Sequence, residues 1–163
     1  MLSALSYASA QKAATNYQVK AKSLAKKLID VLLNENPPRA IGLNNEYLGQ
    51  ANLEDFAFVL QGLYDYQRLS KNNDFTAQIN QLEHLIKQRF YRNNEWQYEA
   101  NPLIKNIENM DFSKDGALPS SLAIVRCLQA TDTQILSAEN MLKNPIEYVS
   151  YFVPQQSLKC KAL

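Results

Sequence analysis

Four glycines in 163 residues leave few positions at which a β-rich chain can turn. The stretches between them are dominated by Ala, Leu, Gln, Lys and Glu, strong helix formers, with apolar residues returning at three-to-four spacing. That period lines one face of a helix and does not match the two-residue alternation of a strand. The expected fold is all-α. With 46% hydrophobic and 20% charged residues, a chain of this length forms one domain and buries roughly 70% of its unfolded surface. It therefore needs neither metal nor disulfide to hold a core, and collagen-like and disordered classes are excluded.

A first helix is expected from about Leu2 to Ala14 and a second from about Tyr17 to Leu33. The second has Tyr17, Ala21, Leu24, Leu28, Val31 and Leu32 recurring on one face. Asn34-Glu35-Asn36-Pro37-Pro38 stops it, because proline lacks the amide a continuing helix needs. Arg39 to Gly49 is a linker. Asn52-Leu53-Glu54-Asp55 then opens a third helix with an N-cap and an acid three positions later, close to a capping box. Phe56, Val59, Leu60, Leu63 and Tyr64 form its buried stripe, and it ends near Ser70 to Asn73. Asp74 begins a fourth, with Phe75, Ile79, Leu82, Leu85, Ile86 and Phe90 at helical spacing. So short a link makes helices three and four antiparallel.

From Tyr91 to Lys114 the helical period is lost, and a short hairpin or irregular loop is expected. Pro119 suits the first turn of a fifth helix running through Leu122, Val125 and Leu128. Thr131-Asp132-Thr133 caps a sixth that ends at Asn144-Pro145, and Ile146 to Phe152 forms one more segment. The domain spans residues 1–154, and the tail from Gln155 to Leu163 frays. The count is about three antiparallel helical hairpins, beginning near residues 2, 53 and 117. Such spacing exceeds that of the common helical repeats and points to part of an (α/α) toroid.

Seventeen basic against sixteen acidic residues give a net charge of +1 and no global pull toward nucleic acid or anionic lipid. Lys12, Lys20, Lys22, Lys26 and Lys27 make the first hairpin basic, but without arginine clustering or interleaved aromatics they form a solvated face. Cys127 and Cys160 stand far apart with no CxxC partner, as free thiols do in a reducing compartment. The first residues lack the basic start of a secretory signal, and no window reaches the ~20 apolar residues of a membrane span. A cytoplasmic location is expected, with no metal, cofactor, nucleic-acid or membrane partner.

Two segments carry a resemblance. Gly49-Gln50-Ala51-Asn52-Leu53-Glu54-Asp55-Phe56-Ala57-Phe58-Val59-Leu60-Gln61-Gly62-Leu63 and, further on, Asp115-Gly116-Ala117-Leu118-Pro119-Ser120 resemble motifs of one family. It is the thioredoxin-domain-containing group typified by the spermatogenesis-associated thioredoxin-like protein. The C-terminal region of that group is similar to N-acylglucosamine 2-epimerases and six-hairpin glycosidases. Met1 to Leu5 resembles an interior helix of that toroid, so the likeness implies the last three or so hairpins of a longer parent. Where the family continues with Gly-Asn-Ser after Pro119-Ser120, this chain has Ser121-Leu122-Ala123. The thioredoxin-like part, with its cysteine motif, has no counterpart.

The resemblance implies a carbohydrate-related cavity, for which Asp55, Glu54 and Asp115 are the candidate catalytic carboxylates. Asp55, Asp115, Ser120, Trp96 and Tyr47 are candidate ligand contacts; Tyr98 and Phe112 also fall in links, where aromatic faces stack on sugars or pack on helix ends. Against catalysis, adjacent helical residues diverge by about 100 degrees, so Glu54 and Asp55 do not both face one substrate. Capping and the helix dipole account for the acids at a helix start equally well. His84 is the only histidine, and one imidazole cannot act as acid and base on opposite faces of a sugar carbon. The expected function is a non-catalytic helical domain of that six-hairpin glycosidase-like type. It would self-associate as a dimer through exposed hairpin faces or support a thioredoxin-like domain or protein. The alternative is a carbohydrate-binding or carbohydrate-modifying cavity completed by oligomerisation or by further chain N-terminal to Met1.

Overall fold

The computed structural model describes residues 1–11, 15–71, 73–100 and 120–129. They are mostly helical: α1 (Leu2–Ser9), α2 (Thr15–Leu32), α3 (Leu53–Ser70), α4 (Thr76–Phe90) and α5 (Ser121–Gln129). Two antiparallel hairpins join them, β1 (Ala40–Ile41) with β2 (Tyr47–Leu48) and β3 (Tyr91–Arg92) with β4 (Glu95–Trp96). The expected sixth helix, the segment after it and the tail lie outside the described residues, as do Asp115 and Phe112.

α3 forms where the sequence marks it. The Asn52 side chain accepts from the Asp55 amide and the Asp55 carboxylate accepts from the Asn52 amide, a complete capping box. Leu53, Phe56, Ala57, Leu60, Leu63 and Tyr66 are buried along it, while Val59 and Tyr64 are half-buried. It ends at Lys71, which takes the left-handed conformation at φ 52° and turns the chain toward α4. Asp74 does not open α4; it pairs with Lys22 of α2, and helical backbone starts at Thr76. Facing residues show that α3 and α4 are antiparallel. Gln67 bonds Thr76, Tyr66 rings against Phe75, Tyr64 donates to Glu83, and Phe56 meets Phe90 edge-on at 5.4 Å. Burial and the Glu83 carboxylate hold the Tyr64 phenol well above its ordinary pKa, so it stays a donor at every working pH.

α1 runs the same way as α3, since Leu2 lies against Gly62 and Tyr7 accepts from Arg68. α2 likewise runs with α4: Lys22 reaches Asp74 at the start, and Arg89 donates to the Asn34 and Glu35 carbonyls at the end. Two helical hairpins therefore stand side by side, and α3 packs on α1, α2, α4 and α5. The core is one continuous cluster along α3.

Three further features differ from expectation. α1 stops at Ser9, where the Ser6 and Ser9 hydroxyls bond the Leu2 and Ser6 carbonyls and compete with the helix ladder. Of the expected α2 face, Ala21 and Leu32 are buried as read, but Ala25 and Ile29 complete the stripe, because alanines let helices approach closely; Leu24, Leu28 and Val31 flank it half-buried and Tyr17 is exposed. Residues 39–49 fold as a hairpin instead of a plain linker, with Asn45 at φ 60° supplying the turn. The hairpin expected after Tyr91 is present, with Asn93 and Asn94 both at positive φ as a two-residue turn requires.

A Cβ at Gly62 would stand 3.2 Å from Leu2 Cβ, tighter than ordinary contact. Gly62→Val is therefore expected to destabilise by about 1–3 kcal/mol in urea unfolding, by forcing α1 off α3. In a Leu2→Gly background, which removes that Cβ, the penalty should fall by more than half; an equal penalty in both backgrounds would show that the contact is not what limits the site.

Candidate functional site

The link from α2 to α3 and residues 91–100, which follow α4, both lie at the end where α3 begins, since α4 returns there antiparallel. Around the first turn of α3 they assemble Arg39, Asn52, Glu54, Asp55 and Tyr98. The Tyr98 carbonyl accepts from the Leu53 amide at 2.9 Å, and its hydroxyl donates to Glu54 Oε2, also at 2.9 Å. Arg39 Nη2 stands 3.9 Å from the same oxygen, with both side chains partly exposed.

The two adjacent acids diverge as helical geometry requires. Glu54 turns to Tyr98 and Arg39, while Asp55 turns back to the Asn52 amide at 2.9 Å and faces no shared substrate position. Burial raises the Asp55 pKa, and the Asn52 hydrogen bond and the Arg39 charge offset this only in part. The Tyr98 phenol is also raised, first by burial and then by its bond to Glu54, so at neutral pH it is the donor of that pair.

The other candidates are not among these groups. Ser120 is buried, and its hydroxyl accepts from the Ala123 amide at 3.2 Å as the N-cap of α5, which begins at Ser121; Pro119 lies outside the described residues. Trp96 is half-buried and packs on Tyr91, its cross-strand partner, at 5.2 Å. Tyr47 is 61% exposed on β2. Asp115 lies outside the described residues, and His84 is exposed in the middle of α4. Lys20, Lys26 and Lys27 are exposed on α2. Among the described residues no group of three His, Cys, Asp or Glu side chains is placed to hold a metal, and no helix is long and apolar enough to cross a membrane.

Sequence reasoning missed Arg39 as a partner of Glu54, and left Tyr98 between stacking on sugars and packing on helix ends without its bond to that carboxylate. Neither has a local signal: the partners are separated in sequence and meet only once both links fold over α3. Comparison with models of known protein families, with curated proteins and with solved structures finds no match to the chain.

Two expectations follow. Tyr98→Phe removes a hydrogen bond to a carboxylate and should cost about 1–2 kcal/mol in urea unfolding, whereas Arg39→Ala, at a long and exposed ion pair, should change stability by less than about 1 kcal/mol. The reverse order would make the ion pair the stronger tie. For Asp55, a folded pKa above the unfolded one means that the native state holds the proton more tightly. Its stabilising contribution is complete below the unfolded pKa and is lost as pH rises through the folded value. Asp55→Asn keeps an acceptor for the cap but cannot titrate. The stability of the wild type minus that of the variant should therefore decline as pH rises from about 3 to about 6; a difference that grows over that range contradicts the shift.

Proposed function

We propose that this chain is a non-catalytic helical module of the (α/α)-toroid type, resembling the six-hairpin glycosidase-like part of thioredoxin-domain-containing proteins. The observation that carries this reading is that both acids at the start of α3 already have structural employment. Asp55 closes the capping box and Glu54 receives Tyr98. His84 sits about ten residues along the hairpin from that end, on the order of 15 Å by helix rise, and faces solvent. An acid and a base converging on one substrate atom are what catalysis on a sugar carbon needs. The toroid itself is supported by α1 and α3 running the same way side by side, with α2 and α4 running opposite. The module then serves a thioredoxin-like partner or its own oligomer.

A second reading has an observation of its own. Glu54 and Arg39 keep 34% and 55% of their side chains exposed, and the link carrying Arg39 also carries the exposed Tyr47 ring. A carboxylate, a guanidinium and an aromatic face suit a neutral saccharide. The two readings separate in a thermal-shift screen against neutral sugars and sugar phosphates. The non-catalytic module gives no shift across the panel; stabilisation by a sugar that disappears in both Glu54→Gln and Tyr47→Ser replaces it with the saccharide reading.

Self-association is supported by α2. Leu24 and Leu28 pack half-buried against the core, but Tyr17 and Val19 near the start of α2 are 45% and 71% exposed, apolar surface that the core does not cover. In light scattering at tens of micromolar, the mass should rise toward the dimer with concentration, and Tyr17→Glu should weaken that rise without lowering the melting temperature. A monodisperse monomer overturns the dimer and leaves the reading as a module intact.

A further inference from the structure

We draw no further inference here: the strongest candidate, the β1–β2 hairpin on which Ile41, Leu43, Tyr47 and Leu48 are all exposed, carries none because nothing in the structure shows what covers it.

Discussion

The first turn of α3 is a helix start placed in the protein interior, and its amides have to find partners there. Ala51, Asn52 and Leu53 are at most 3% exposed, so water is not available to them. Each amide is met from a different direction. The Ala51 amide donates to the Pro37 carbonyl, that of Asn52 to the Asp55 carboxylate, and that of Leu53 to the Tyr98 carbonyl; the Asp55 amide returns to the Asn52 side chain. A buried amide left without a partner costs about 1–3 kcal/mol, a large fraction of the net stability of a domain this size. The two long links are thus held to α3 by the helix's own need for acceptors. The polar groups around Glu54 are brought together as a result.

This explains why the fold is legible in the sequence where it is local. The α3 cap lies within four consecutive residues, and the capping box and apolar stripe announce both its start and its inward face. The Asn93-Asn94 turn is equally local, since asparagine tolerates positive φ better than most residues. α2 is harder. Its apolar residues cover more than one stripe, and periodicity alone picks out Leu24, Leu28 and Val31 over Ala25, although small residues are what let helices approach closely. The β1–β2 hairpin has strands of only two residues, too short for alternation to register.

The candidate site was legible only as a pair of acids. Glu54 and Asp55 stand out because they are adjacent at a helix start, and that same position supplies their structural role. The contacts of Arg39 and Tyr98 with Glu54 are invisible beforehand because they are separated from it in sequence and meet it only when the chain on either side packs on α3. Ser120 shows the same duality: a serine before a helix in a familiar-looking motif, whose hydroxyl is committed to the Ala123 amide. At helix starts, residue types that suit catalysis and residue types that cap are largely the same, and only the hydrogen-bond partners distinguish them.

The partners also rank the two acids. Drawing the Asp55 carboxylate toward a ligand would open its half of the capping box and strand the Asn52 amide in a position water does not reach, a penalty of about 1–3 kcal/mol. Releasing Glu54 from Tyr98 uncovers no buried backbone group, and the carboxylate, already partly in water and beside Arg39, loses only about 1–2 kcal/mol of hydrogen bonding. A few polar contacts from a ligand can offset the second loss but hardly the first. Of the two acids, Glu54 is therefore the one freer to leave its partner, while Asp55 keeps the helix start closed.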